Sequence, residues 1–304
     1  MFSRRDVRAE LLMRCKANVD EHQNAELLLG ASPEAIRYHY DVGNDFFQLW
    51  LDSSMTYSAG MWAAESDSLE SAQAQKRLFH IQASRAADQE RVLDIGCGWG
   101  SCLTDLVNQH GVQTAIGLTL SPAQQSWIKK LNLPGVEARL EGWQDHRPLA
   151  PYDAIISIGA FEHFVRPDYG PAERKSTYRQ FFEKCHHILR PGGWISLQTQ
   201  AYFLGKYSPK SPLSAVFPES DMPRLSEIFE ACNRLFELES LHNRPTDYLA
   251  TLECWLQRFS SNEREIVART NEDIFRQYLR FLSGGLKGYS NNIFMLLRMS
   301  LRRV

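Results

Sequence analysis

Short apolar runs alternate with amphipathic stretches through the middle of the chain. The runs at 91–95, 113–120, 136–140, 152–158 and 193–200 are bounded by turn residues and read as strands. Between them, 101–109, 122–131 and 176–189 carry apolar residues at helical spacing. Strand–helix alternation of this kind predicts a parallel sheet covered on both faces. Pro191-Gly-Gly193 reads as a turn into the fifth strand. Upstream, Val7, Leu11, Leu12, Cys15 and Val19 mark a helix over 4–29, and a second helix covers 69–87. Downstream the rhythm breaks. Residues 201–221 are rich in Ser, Pro and Lys and read as a long surface loop or lid. Helices at 222–233 and 246–282 follow, with a strand at 236–242 between them and a last strand at 292–301. The pattern therefore predicts an α/β chain with a mostly parallel seven-stranded sheet. Its organisation is an N-terminal helical cap, 1–87, and a core, 88–304, which carries the lid 201–221 and a helical insertion, 246–288. There is no internal repeat and no low-complexity tract.

Composition removes several classes of function. A chain of 304 residues can bury a large core, and 43% hydrophobic with 23% charged residues is ordinary for a globular protein. A net charge of −2 gives nothing that pulls the chain onto nucleic acid. The six cysteines form no C-x-x-C pair, which argues against a zinc ribbon or redox motif and for a reducing compartment. Cys185, His186 and His187 lack metal-ligand spacing, so no metal site is expected. No apolar run reaches membrane-spanning length, and the charged N-terminus is not a signal peptide. These features place the chain in the cytoplasm. The basic face of 4–29, with Arg4, Arg5, Arg8, Arg14 and Lys16, reads as a solvated helix face. The alternative is contact with an acidic carrier or a peripheral hold on an anionic membrane.

The strongest chemical signal is Arg91-Val-Leu-Asp-Ile-Gly-Cys-Gly-Trp-Gly100. A strand ending in Asp94 breaks into Gly96, Gly98 and Gly100, and a helix follows, so backbone can approach a nucleotide-like ligand closely. A dinucleotide loop would read G-x-G-x-x-G, with an acid about 20 positions on for the ribose. Here the spacing is G-x-G-x-G, and the next strand end, Gly117-Leu-Thr-Leu120, has no acid. S-adenosylmethionine, which has no phosphate, fits better than a pyrophosphate ligand; the bland alternative is a tight turn with no ligand. In a doubly wound sheet the ligand lies over the carboxyl ends of the strands. Those ends offer Asp94 to Gly100, Thr119 and Leu120 through Gln124, Gly142-Trp143-Gln144, and Ile158 through Glu162. Trp143 is placed to flank an adenine and Gln124 to bond a ribose hydroxyl. Read singly, they are a half-buried surface aromatic and a solvated helix residue.

Six ordered motifs carry a family resemblance. Tyr38-His-Tyr-Asp-Val-Gly-Asn-Asp-Phe-Phe47, Leu49-Trp-Leu-Asp52 with Met55-Thr-Tyr-Ser58, Leu93 to Gly100, Gly117-Leu-Thr-Leu-Ser121, Ser157-Ile-Gly-Ala-Phe-Glu-His-Phe164, and Phe217-Pro218 followed by Asp247-Tyr248, Thr251-Leu252 and Trp255 resemble the cyclopropane fatty acid synthase and mycolic acid cyclopropane synthase family. The resemblance runs from about residue 36 to the C-terminus and implies a class I methyltransferase, Rossmann-like, with a helical cap over S-adenosylmethionine. It implies cofactor contacts from Tyr57, Ser58, Gly96, Thr119, Gln124, Trp143 and Ile158. The implied chemistry, in lipid biosynthesis, is methyl transfer to a carbon–carbon double bond, giving a carbocation that must lose a proton. That needs in-line positioning, electron-rich surfaces and a base. Phe161, Phe164, Tyr202, Tyr248, Trp255 and Tyr278 are candidates for the aromatic surfaces, although core packing is the better reading for any one of them. In the family a bound bicarbonate is the base, held by a Glu, a His, a Tyr and main-chain groups near cysteines. Glu162 and Tyr248 match. The His is Gln198 here, and the cysteines are Ala59 and Gly285. Gln198 donates hydrogen bonds but carries no charge, so either the anion is held less tightly or Glu162 is itself the base. His163 reads as a packed or capping residue, and His39 as structural.

Three readings compete. The first is an enzyme that methylates an alkene carbon of an apolar or amphiphilic acyl substrate, with Glu162, Tyr248 and Gln198 at the acceptor. The substrate is free, carrier-bound or in a membrane. The second is a C- or N-methyltransferase of specialised metabolism, favoured by Gln198, Ala59, Gly285 and a lid, 201–221, shorter than in the family's long-chain mycolic enzymes. The third is a non-catalytic module that only binds the cofactor. The sequence favours the first and leaves bicarbonate and oligomeric state open. A nucleic-acid methyltransferase is disfavoured, because the fourth strand ends in Ile-Gly-Ala-Phe-Glu162 rather than an Asn- or Asp-Pro-Pro-Tyr clamp.

Overall fold

The computed structural model describes residues 30–304 apart from Asp41 and Glu65. The helix expected over 4–29 lies outside the described residues. The central sheet is built from β1 (Arg91–Ile95), β2 (Thr114–Thr119), β3 (Val136–Leu140), β4 (Tyr152–Ile158), β5 (Leu189–Tyr202), β6 (Phe236–Asn243) and β7 (Phe294–Arg303). Its order is β3-β2-β1-β4-β5-β7-β6. β1 to β5 run parallel, and β7 is antiparallel to both β5 and β6. The central strands read as near-continuous apolar runs because both their faces are covered.

Strand alternation divides the core into two layers. Leu93, Ile95, Ile155, Ile195 and Leu197 meet Tyr178, Phe181, Phe182 and Ile228 of the helices Pro171–Ile188 and Leu225–Cys232. On the opposite face, Val92, Ala154 and Ile156 meet Ile81, Leu103, Leu106 and Ile128 of the helices Leu69–Ala83, Ser101–Gln109 and Pro122–Leu131. The helix Leu69–Ala83 is also tied to the sheet by polar bonds: His80 Nδ1 lies 2.7 Å from Ser196 Oγ, and Ser300 Oγ donates to the Ala83 carbonyl at 2.6 Å. A third apolar cluster joins Phe46, Phe47, Trp50 and Met55 to Trp255, Phe259, Tyr278 and Leu282. Two segments about 200 positions apart thus share one core beyond the strand ends.

The structure departs from the sequence pattern in three places. The helix expected over 246–282 is three helices, Pro245–Ser261, Glu263–Arg269 and Glu272–Ser290. Asn262 breaks the first by donating its side-chain amide to the Leu49 and Arg258 carbonyls. Asn271 starts the third by accepting from the Ile274 amide. Second, Pro191-Gly-Gly193 does not precede the fifth strand but forms a bulge inside it: Leu189 pairs with Tyr152, and Trp194 already pairs with Ala154. Third, the segment 201–221 is not wholly irregular. β5 runs on to Tyr202, and Ser211 caps a short helix, Pro212–Val216.

Candidate active site: two cavities with a common wall

Two cavities open at the carboxyl ends of the strands. The first, about 150 Å³, is walled by the loops after β1, β2, β3 and β4 and by Met55 to Ser58. Tyr57, Ser58, Asp94, Gly96, Gly98, Thr119, Leu120, Gln124, Trp143, Gln144 and Ile158 all line it. Gly98 has φ +55°, and a Cβ built on it would meet nothing within 4 Å, so its backbone faces open cavity. Gly100 differs from the other two glycines. It is not in the cavity wall. It starts the helix Ser101–Gln109 at φ +84°, and a Cβ there would lie 2.7 Å from Ile128. Helix packing against Ile128 thus requires a glycine at this position.

Side-chain geometry narrows what each wall residue offers. Thr119 donates its hydroxyl to Gln124 Oε1 at 2.6 Å and accepts from the Ser121 amide, so Gln124 turns its NH₂ elsewhere. Trp143 packs on Phe164 and Phe181, with ring centroids 5.5 Å from each, and is both core and cavity wall. Asp94 is 2% exposed, and its Oδ1 has no hydrogen-bond partner. Burial pushes its carboxyl up to about 7 against the opposing pull of Lys76. Lys76, 1% exposed, donates from Nζ to Ser58 Oγ at 2.7 Å; burial and the charge of Arg77 bring it down to about 7. Asp94 and Lys76 are thus two buried ionisable groups in one wall, which is where a charged ligand would meet them. The sequence reading passed over Lys76, which is buried on a helix face shared with Gln73, Arg77 and His80, so no apolar stripe marked it out.

The second cavity, about 410 Å³, brings together Glu162, Gln198 and Tyr248. Its apolar lining includes Leu213, Met222, Leu252, Ile293 and Leu296. It shares Tyr57, Ser58, Gly159 and His163 with the first cavity. Glu162, in a single 3₁₀ turn after β4, is 5% exposed; Oε1 accepts from the Gln200 amide at 2.7 Å, and Oε2 has no hydrogen-bond partner. Burial pushes Glu162 up to about 7. His163 Nδ1 lies 2.6 Å from Ser220 Oγ, and burial lowers its ring to about 4, so the imidazole is neutral. It is packed, as expected, yet it also forms part of the shared wall. Ala59 and Gly285 line the second cavity too.

The aromatic candidates divide. Tyr202 and Tyr248 line the second cavity and Phe164 the first. Phe161 instead stacks on Tyr178 at 4.7 Å inside the sheet core, and Trp255 and Tyr278 belong to the apolar cluster beyond the strand ends. Phe281, Tyr289 and Phe294, which the sequence reading did not single out, take their places in the wall beside Tyr57 and Phe217 of the family motifs. His39 is buried, 4.1 Å from the Phe217 ring. Among the described residues no group of His, Cys, Asp and Glu is placed to hold a metal ion, and no helix is long and apolar enough to cross a membrane.

A strand order of 3-2-1-4-5-7-6 with an antiparallel β7, and a glycine loop opening a cavity over β1 and β4, define a class I methyltransferase using S-adenosylmethionine. The chain belongs to the mycolic acid cyclopropane synthetase family, whose model matches residues 30–299. It is 33% identical over 271 residues to cyclopropane mycolic acid synthase 2 of Mycobacterium tuberculosis, covering 83% of this chain and 88% of that one. Cyclopropane mycolic acid synthase MmaA2 of the same organism is 29% identical over 275 residues, covering 84% and 91%. The solved structure of the cyclopropane synthase MmaA2 from Mycobacterium tuberculosis superposes with a TM-score of 0.82 at 27% identity, over 91% of this chain and 100% of that one. The resemblance, fold class and cofactor expected from the sequence hold, as does the enzyme class, a methyl- or methylene-transferring enzyme of the cyclopropane synthase type.

Proposed function

We propose that this chain transfers a one-carbon unit from S-adenosylmethionine to a double bond of an unsaturated acyl chain held in the second cavity. The observation that carries this reading is the apolar chamber in which Glu162, Gln198 and Tyr248 converge, sharing Tyr57, Ser58, Gly159 and His163 with the donor cavity. S-adenosylmethionine supplies, when bound, an electrophilic methyl group on sulfur. In our reading Gly96 and Gly98 admit its amino-acid end. Lys76 and Asp94 take its carboxylate and ammonium, the NH₂ of Gln124 meets the ribose, and Trp143 flanks the adenine. These groups hold the methyl at the shared wall, in line with an alkene on the other side. The π pair of the alkene would form the new carbon–carbon bond as the methyl–sulfur bond breaks and its pair stays on sulfur, leaving S-adenosylhomocysteine; the cation left on the neighbouring carbon lies against the faces of Tyr248, Tyr289 and Phe294. Loss of a proton from the added carbon leaves the pair that closes the ring.

The proton needs an acceptor in the chamber. Glu162 has a value of about 7 and a buried oxygen without a partner, and is suited to take or relay it. The same donor set suits a bicarbonate: the Gln198 amide, the Tyr248 hydroxyl and Glu162 in its protonated form each present a donor to a small oxyanion. The test is incubation with methyl-labelled S-adenosylmethionine and phospholipids carrying cis-unsaturated chains, read by mass spectrometry. Label in the acyl chain at one added CH₂, with loss of the olefinic protons, supports the reading. Label confined to an amine or a polar metabolite would overturn it and favour a small-molecule methyltransferase.

A further inference from the structure

Gln198 and Arg298 lie opposite each other in the antiparallel pairing of β5 and β7. Arg298 is 1% exposed, and three of its nitrogens are engaged. Nε donates to Gln198 Oε1 at 2.7 Å, Nη1 to Asp247 Oδ2 at 2.5 Å, and Nη2 to the Gly60 carbonyl at 2.7 Å. A guanidinium only donates. Gln198 must therefore turn its amide oxygen to Arg298 and its NH₂ away, since the flipped amide would set donor against donor. His80 adds a second constraint. Its Nε2 lies 3.4 Å from the same Gln198 oxygen and its Nδ1 2.7 Å from Ser196 Oγ. Because that oxygen accepts, Nε2 carries the ring proton and the Ser196 hydroxyl donates to Nδ1. Burial holds the ring well below its ordinary value, so it stays neutral. Turned from Arg298, Gln198 Nε2 comes 3.5 Å from the Ala59 carbonyl, and both residues line the acceptor chamber.

We infer that Arg298, anchored by Asp247 and assisted by His80, is a positioning residue that fixes Gln198 as a one-way hydrogen-bond donor toward an oxyanion in the acceptor chamber. The positive charge of this wall then lies behind the amide instead of on it. The inference rests on the proposed function, because the oxyanion is the one that accompanies proton removal there. It also explains how a glutamine can stand where a histidine would carry charge: the charge sits on the next strand, shielded from the acyl chain.

The test reads anion binding rather than turnover. The full chain, saturated with S-adenosylhomocysteine, is titrated with bicarbonate against chloride at constant ionic strength. Thermal shift and ¹³C line broadening of bicarbonate are the readouts. Gln198→Glu accepts from both Arg298 and His80, so it keeps the fold, the melting temperature and the S-adenosylhomocysteine affinity. It presents an oxygen where the donor was, and bicarbonate binding falls by at least about tenfold. Arg298→Gln frees the amide to flip and weakens bicarbonate by a similar factor. Because that change leaves the buried Asp247 with only the more distant Arg244, at 3.6 Å, Arg298→Gln/Asp247→Asn is made beside it. Adding Gln198→His to Arg298→Gln returns a ring N–H to the wall and recovers most of the binding. The inference is overturned if the wild type binds bicarbonate no better than chloride, if Gln198→Glu binds it as the wild type does, or if folded Arg298 variants bind it unchanged. No product is formed in this assay, so a wrong acyl substrate and a wrong role for Arg298 fail separately.

Discussion

Glu162→Gln should make the protein more stable than the wild type at high pH relative to low pH and should largely abolish turnover. Glu162 is buried, with one oxygen bonded to the Gln200 amide and the other without a partner, and burial moves it from an ordinary 4.5 to about 7. Its folded-state value is raised, so the native protein binds more protons than the unfolded chain between those two values. The contribution of the carboxyl to stability is therefore complete below pH 4.5 and is lost as pH rises through about 7. Between pH 5 and pH 8.5 that loss amounts to about 2.5 kcal/mol. Glutamine does not titrate, and its other effects are the same at both pH values, so the difference between variant and wild type isolates this quantity. At about 2.1 cal/mol/K per residue over 304 residues, the variant gains roughly 4 °C in Tm relative to the wild type between pH 5 and pH 8.5.

The assay is thermal unfolding of both proteins without ligand at the two pH values, with turnover and S-adenosylhomocysteine affinity measured on the same preparations. Turnover should fall by at least about 10²-fold, the usual scale for losing a positioned acid or base, with affinity within a few-fold of wild type. A Tm difference that is the same at both pH values would refute the burial argument. A collapse of S-adenosylhomocysteine affinity would move Glu162 to the donor site and refute its role at the acceptor.

Three further outcomes follow from the same walls. Lys76→Met should weaken S-adenosylhomocysteine by roughly tenfold or more in calorimetry, the scale of one hydrogen bond to a charged group, and unchanged affinity would remove Lys76 from the donor site. Gly98→Ala and Gly100→Ala both force a side chain to positive φ, at about 1–2 kcal/mol each. Gly98→Ala should lose cofactor affinity on top of that, and Gly100→Ala further stability through Ile128; the opposite split in calorimetry and melting would reverse their roles. Tyr248→Phe should cut turnover at least about tenfold with S-adenosylhomocysteine binding intact, and full turnover would take the hydroxyl out of the acceptor chemistry.

The donor site was legible because its signals are local. A strand of continuous apolar residues, an acid at its end and glycines at alternate positions lie within ten residues, and the positive φ of Gly96 and Gly98 is what that spacing encodes. The acceptor site was legible only in part. Glu162, Gln198 and Tyr248 were named by resemblance, whereas residue type alone could not separate Phe161, Trp255 and Tyr278, which pack in the core, from the rings that line the chamber, since an aromatic ring does either as readily. Arg298 was out of reach for a different reason. In Leu297-Arg-Met-Ser-Leu-Arg302 it shares a strand face with Ser300 and Arg302, and the alternation alone makes that face look solvent-exposed. Arg302 does face solvent, half-exposed beside Glu237. What buries Arg298 is Asp247, 51 positions away, and Gln198, 100 positions away. A charge inside a sheet is tolerated only when paired, so in our inference the wall amide of Gln198 and the strand guanidinium of Arg298 act as one unit. Neither half has a meaning until the antiparallel register sets them side by side.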